Sequence, residues 1–379
     1  MGDDKNLKPE IYRDTQVRAA IRELFSYQDF LDGMEAFVPY HLNKLILEEK
    51  NHIKTAHDFQ KNVISPFLNV VKKSTISALT FSGLGNLSPE ESYLFISNHR
   101  DIVLDSAFLN MVLLENNMQT SQIAIGDNLV ANRLTELIFK INKSFVVKRS
   151  GNPRDIYQYA ILLSNYINKT INKQKDSIWI AQREGRAKDG NDRTQIALLK
   201  MLSLSNKKQN LKQHFKNIKI VPVSISYEYD PCGFLKAKEH LDKNADPNYK
   251  KTFHQDAEHL LLGIKGHKGN VHFHFEKPLF NRLDQLDEVS TNKEKLKLLA
   301  SIIDRTIHLN YKMNPINYYA YDILNETNDY KKYYGGNKKD SLVQFFAELK
   351  SLLSEDQQEA GIRFLLKSYA NPLINANSY

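Results

Sequence analysis

From residue 79 to residue 275, short β-prone runs alternate with stretches of helical periodicity, and this alternation restricts the fold more than any other property of the chain. The β-prone runs are Leu79–Ser82, Tyr93–Ser97, Gln122–Ile125, Phe145–Val147, Ser177–Ala181, Ile218–Ser226 and Val271–Phe275. Helical stretches at Ile102–Asn116, Asn132–Asn142, Arg154–Lys173 and Thr194–Leu204 separate several of them. Apolar strands joined by helices bury both faces of a sheet, so the pattern predicts an α/β fold with its ligand site at strand ends. No internal repeat is visible. The segment from Cys232 to about Lys268 breaks the rhythm and reads as an insertion. Its glycine-rich end, Gly263 to Gly269, does not stand between a strand and a helix as a phosphate loop should, and reads as a flexible basic loop.

The flanks are helical. Val17, Ile21, Leu24, Phe25 and Leu31 fall at helical spacing, as do Phe59, Val63, Phe67, Val70 and Val71, with a kink or break expected at Pro66. Such helices either cover the core or provide a docking surface for lipid. The chain therefore divides into a helical N-terminal region, 1–78, an α/β domain, 79–285, and a helical C-terminal region, 286–379, packed on it. A tyrosine-rich piece in the last region (Tyr311, Tyr318, Tyr319, Tyr321) suggests no role by itself.

Composition narrows the chemistry. With 52 basic and 44 acidic residues, the net charge of +8 suits an anionic membrane surface, a phosphorylated substrate or nucleic acid. No long Lys/Arg block and no nucleic-acid-binding signature occurs, which makes nucleic acid the weakest of the three. One cysteine, Cys232, excludes an internal disulfide and points to a reducing, cytoplasmic setting. The N-terminus lacks a secretory pattern, and no run of about 18 apolar residues marks a spanning helix. Work on lipid is then expected from the membrane periphery.

The most informative stretch is Ser97-Asn98-His99-Arg100-Asp101-Ile102-Val103-Leu104-Asp105. It begins at the end of a predicted strand and opens a predicted helix, so the histidine stands where ligands bind. A carboxylate in the first turns of that helix can reach back to it. Histidine as base and a carboxylate fixing its tautomer are what acyl transfer to an alcohol requires. Both Asp101 and Asp105 are available, and Asp101 is also a natural helix cap.

Three further segments follow in order: Lys143–Arg149, Ile178–Arg186 and Ile220–Glu228. With the His99 stretch they resemble the four blocks of the glycerol-phosphate and lysophosphatidate acyltransferase superfamily, over about residues 80–280. The resemblance implies a central mixed sheet flanked by helices, with helical extensions at both ends. The family's first block is His-x-x-x-x-Asp, which would place the carboxylate at Leu104. Here the candidates are Asp105, one residue late, and Asp101. Asp105 is favoured because it keeps a helix-borne carboxylate, although one residue of slip rotates a helical side chain by about 100°.

The resemblance further implies that Arg100, Arg149, Glu184, Gly185 and Arg186 bind the acceptor, the arginines holding phosphate. In the third block Arg183 replaces the usual proline, and Lys188 and Arg193 add positive charge. The fourth block carries Pro222 inside a strand, which calls for an edge, a bulge or a place needing no amide donor. The implied activity moves a fatty acyl group from acyl-coenzyme A or acyl carrier protein to a hydroxyl of glycerol-3-phosphate or lysophosphatidate in phospholipid synthesis. No cofactor and no metal is expected; the pair His272 and His274 shares a strand face but lacks a third ligand at recognisable spacing. A catalytically inactive lipid- or phosphate-binding protein on the same scaffold is the rival reading.

Overall fold

A computed structural model describes residues 8–148, 151–206, 210–246, 248–250 and 252–379. Its seven strands among the described residues are β1 (Ile76–Ser82), β2 (Leu94–Ser97), β3 (Gln122–Gly126), β4 (Ser144–Val147), β5 (Ile178–Ala181), β6 (Ile220–Tyr227) and β7 (Gly269–Phe275). They form one sheet in the order β1-β7-β6-β2-β5-β3-β4. Strands β6, β2, β5, β3 and β4 are parallel, β7 pairs antiparallel with β6, and β1 is parallel to β7. The sheet is therefore mixed, and β2 is its central strand. The chain leaves β2 toward β3 on one side and later returns to β6 on the other, so the carboxyl end of β2 lies where strand order diverges, a position that favours ligand binding.

Strand alternation sorts the core into two layers. On one face, Phe95, Trp179, Val221, Val223, Ile225, Val271 and Phe273 pack with the helix Leu104–Glu115. That helix is buried continuously from Leu104 to Leu113, which explains why its sequence is apolar all round. On the other face, Leu94, Ile96, Ile178, Ile180 and Ile220 meet helices Pro153–Lys169, Ile196–Leu202 and Asn292–Leu309.

Proline placement shows how the fold accommodates missing donors. Pro66 stands in the first turn of the helix Ser65–Thr75, and a wide π-turn, Gln60–Ile64, immediately precedes it. The helical path consequently widens at Pro66 where a kink or break was expected. Pro222 lies in an interior strand, between β7 and β2. Its carbonyl accepts from the Glu276 amide on the β7 side, just beyond the Val223–Phe275 pairing where that ladder ends. A strand residue's N–H and C=O point the same way, so the absent donor faces the frayed end of a ladder.

The inserted segment folds as two helices, Gly233–Ala245 and Phe253–Lys265. Its glycine-rich end does not form the flexible basic loop expected from sequence. Gly263 is helical, and Lys268 is fully buried, donating to the carbonyls of Ile264 and Gly266 and to Thr75 Oγ1. The lysine thus closes the carboxyl end of the preceding helix, Phe253–Lys265. At the N-terminus, Val17, Ile21, Leu24, Phe59 and Val63 are buried together with Leu137 and Ile141 of the helix Arg133–Ile141. At the C-terminus, helices Pro315–Asn325 and Gln358–Asn377 pack on each other and on Ala237. The tyrosines are part of this layer, with Tyr318 stacked on Tyr333 at 4.3 Å.

His272 and His274 lie on the face of β7 away from the main core, against β1. Thr80 Oγ1 meets His272 Nδ1 at 2.8 Å, while Ser82 Oγ meets His272 Nε2 at 2.9 Å and His274 Nδ1 at 2.8 Å. Burial, then Lys312 and His274, push the His272 pKa down to about 4. Burial also lowers that of His274. Unfolded imidazoles take up protons near pH 6.5, earlier than these folded ones, so stability is lost as pH falls from about 6.5 toward 4. Because both rings are only half-buried, the expected loss is about 1–2 kcal/mol. Urea midpoints at neutral and acid pH check this, with a smaller loss expected for His272→Asn/His274→Asn.

Candidate active site

The turn from β2 into the helix Leu104–Glu115 holds its shape through side chains. Asn98 donates to the Ile225 carbonyl and accepts from the Ile225 amide, both at 2.8 Å, which pins the turn to β6. His99 follows. Its Nδ1 is 2.8 Å from Asp105 Oδ2, with Asp105 fully buried and the histidine side chain 14% exposed. The same oxygen accepts from the amides of Arg100 at 2.6 Å and Asp101 at 3.0 Å. The imidazole also lies edge-to-face with Trp179, centroids 5.6 Å apart, and Trp179 Nε1 donates to Ser97 Oγ.

Asp101 has a different place. Its Oδ1 accepts from the amides of Val103 and Leu104, capping the helix that carries Asp105. Residues 101–103 form a bend before helix begins at Leu104. This bend absorbs the extra residue between histidine and carboxylate. Burial, followed by the neighbouring Asp105, raises the Asp101 pKa. The Tyr227 phenol lies beside Asp105; burial first, then Asp105 and Asp101, keep it protonated.

Arg100 points away from His99 into a polar, enclosed pocket. Its Nη2 donates to Asp192 Oδ2 at 2.5 Å, and its guanidinium lies 5.4 Å from the Tyr311 ring centroid. Burial alone would favour its neutral form, but Asp192, Tyr311 and Asp230 more than compensate and hold it charged. Lys236, almost wholly buried on the inserted helix, donates to Asp230 Oδ2 and the Arg100 carbonyl. Neither Asp192 nor Lys236 stood out in the sequence. Asp192 could have been suspected from its place between Lys188 and Arg193, in the charged stretch that follows the third block, whereas Lys236 carried no signal.

The loop after β5 carries the remaining candidates. Glu184 is exposed, and its amide donates to Gln195 Oε1. Gly185 has φ +66°, a left-handed conformation suited to glycine. Arg186 Nη2 lies 3.1 Å from His259 Nδ1. Arg186 Nη1, Arg183 Nε and Arg100 Nε are buried donors without an acceptor among the described residues. Arg149 lies outside the described residues.

The C-terminal region grips this loop from behind. Asp304 accepts from the Thr194 amide, His308 Nε2 meets the Asp192 carbonyl at 2.6 Å, and Asn371 donates to the Asp189 carbonyl. At Gly190, with φ +72°, an added Cβ would stand 2.0 Å from the Ser368 carbonyl oxygen. Gly190→Ala is therefore expected to lower stability by more than about 1 kcal/mol, read from thermal unfolding.

His99 opens onto a cleft whose walls include Ile102, Val103, Ile125, Leu129, Phe139 and Trp179. A histidine paired with a buried carboxylate, an apolar cleft on one side and several arginines on the other define a site equipped for proton transfer at an amphiphile. Residues 78–226, which span β1 to β6, match the family model described as Acyltransferase. This segment, about two fifths of the chain, is similar to that family. A solved structure, the 1-acyl-sn-glycerophosphate (LPA) acyltransferase PlsC from Thermotoga maritima, is similar to this chain at 12% identity and a TM-score of 0.38, covering 78% of this chain and 95% of that one. No curated protein matches.

Proposed function

We propose that the protein transfers a fatty acyl group from an acyl thioester, acyl-coenzyme A or acyl carrier protein, to a hydroxyl of a glycerol-phosphate-type acceptor. The observation that carries this reading is the contact of His99 Nδ1 with the buried Asp105 carboxylate at 2.8 Å. The carboxylate fixes the tautomer that leaves Nε2 as the base, and it stabilises the imidazolium formed when the acceptor hydroxyl gives up its proton. The alkoxide oxygen attacks the thioester carbonyl carbon. The C–S bond then breaks, and the thiolate takes the proton back from His99. The thioester is already activated, so no acyl-enzyme is needed.

The acyl chain lies in the apolar cleft beside Trp179. Arg100, Arg149, Glu184, Gly185 and Arg186 are assigned to the acceptor, whose anionic group satisfies orphaned arginine donors. Arg100 contributes chiefly by holding the loop through Asp192. The reaction takes place at an anionic membrane surface. No helix among the described residues is long and apolar enough to cross a membrane, and Tyr40 and Leu45 expose apolar surface on the N-terminal helices. Liposome flotation of a Tyr40→Asp/Leu45→Asp variant, expected to bind anionic vesicles less well than wild type, tests the docking.

Thiol release from palmitoyl-coenzyme A or palmitoyl-acyl carrier protein, with glycerol-3-phosphate or 1-oleoyl-lysophosphatidate as acceptor, tests the reaction. Acceptor-dependent release that disappears in His99→Ala is expected. Release that persists in the variant removes His99 as the base, and no release with any pair favours a binding scaffold.

A further inference from the structure

The inserted helix Phe253–Lys265 reaches the candidate site through one buried side chain, His259. Its Nδ1 lies 3.1 Å from Arg186 Nη2. A guanidinium can only donate, so the imidazole accepts through Nδ1 and keeps its own proton on Nε2. The other end of the fork, Arg186 Nη1, is buried without an acceptor among the described residues. Arg100 makes the contrast, because Asp192 pairs with it and offsets its charge. Arg186 is held by a neutral group instead. The helix that carries His259 has little freedom to move. The His259 carbonyl accepts from Cys232 Sγ at 3.2 Å, and one turn further on an added Cβ at Gly263 would run into Asp101 Oδ2. Beyond that, Lys268 closes the helix end. His259 therefore presents its nitrogen from a fixed position, on a helix packed against the residue that caps the Asp105 helix.

We infer that His259 is a positioning residue for the acceptor: it fixes Arg186 without discharging it, so that Nη1 and the full positive charge remain for the acceptor's anionic group. The inference rests on the reading of Arg186 as an acceptor-binding residue of the acyl transfer, and it deepens that reading by naming what aims the arginine. His259 lies outside residues 78–226, so the family match does not reach it. A histidine suits the place. A carboxylate would orient the guanidinium as well, but it would neutralise the charge and compete with the incoming anion. An apolar residue would leave buried donors unmet and the side chain free to swing. A neutral acceptor on a rigid helix supplies aim alone, which is what a preorganised anion site requires.

The test uses the full chain, palmitoyl-coenzyme A as donor, and glycerol-3-phosphate or 1-oleoyl-lysophosphatidate as acceptor, since both present a phosphomonoester. His259→Leu is expected to raise the acceptor KM about 10- to 100-fold, the size of one charge-assisted hydrogen bond, while kcat and the donor KM change by less than about threefold. His259→Asn, whose carbonyl oxygen can take the place of Nδ1, should recover most of the loss. His259→Asp also supplies an oxygen but adds a negative charge, and should raise the acceptor KM at least as much as His259→Leu. In an Arg186→Met background, His259→Leu should change the acceptor KM by no more than about twofold, because His259 acts only through the arginine. A purely structural role would lower the active fraction, and so kcat, with KM unchanged. That pattern overturns the inference, as does an equal effect of His259→Leu with and without Arg186. Calorimetric binding of glycerol-3-phosphate without donor separates failure of the inference from failure of the acyl-transfer reading. Binding that weakens in His259→Leu and returns in His259→Asn supports the positioning role even without turnover, and binding indifferent to both overturns it.

Discussion

Asp105→Asn should lower kcat by about 10³–10⁴-fold, because the amide can present its N–H to Nδ1 and so select the tautomer with Nε2 protonated. The same oxygen, Asp105 Oδ2, also accepts from the amides of Arg100 and Asp101, so an asparagine that turns its N–H toward Nδ1 gives up those two contacts and a loss of stability should accompany the fall in kcat. Asp101→Asn makes the informative contrast. Asp101 touches the helix amides and not the imidazole, and an asparagine carbonyl caps a helix about as well, so its replacement should change stability little and cause a much smaller fall in kcat. Steady-state kinetics and thermal unfolding of both variants check the assignment. If Asp101→Asn loses the activity and Asp105→Asn retains it, the roles given to the two carboxylates are reversed.

The second large effect concerns stability. Asp192→Ala removes the carboxylate 2.5 Å from Arg100, whose side chain is only 10% exposed. An uncompensated buried guanidinium is strongly unfavourable, and a loss on the order of 3–5 kcal/mol is expected. Arg100→Met in the same chain should recover much of that loss, since removing both partners leaves no stranded charge. Urea unfolding of the two single variants and the double variant gives the coupling directly. Simple addition of the two single losses would mean that Asp192 does not hold Arg100.

The sheet was legible because apolar runs of β-branched and aromatic residues are local signals. Each of the seven β-prone runs overlaps a strand, with ends displaced by only a few residues, as at Leu79 against Ile76 for β1. The family match over β1 to β6 accords with the resemblance read from the four blocks. The inserted segment was harder to read. Gly263, Gly266 and Gly269 suggested a loop, whereas Lys268 supplied side-chain hydrogen bonds to two local carbonyls and to distant Thr75 that helix propensity does not encode. Of the three readings Pro222 allowed, a place needing no amide donor is the one found, at the end of one ladder in an interior strand. Around the candidate site, spacing drew attention to His99 and Asp105, which are six residues apart on adjoining elements. It was silent on Asp192 and Lys236, which meet Arg100 from distant parts of the chain. Partnerships of that kind arise from burial in three dimensions and leave no periodic trace.

The grip of the last helix on the loop after β5 has a consequence for synthesis. The loop's anchor, Asp189, is translated well before Asn371, whose side chain holds its carbonyl. At ordinary elongation rates the interval is on the order of ten seconds or more. During that time the nascent chain can complete its sheet, yet the arginine loop lacks its backing. Support for the loop therefore arrives late, only once Asn371 has been made, and products cut short before the helix Gln358–Asn377 are left with a scaffold but an unsupported loop.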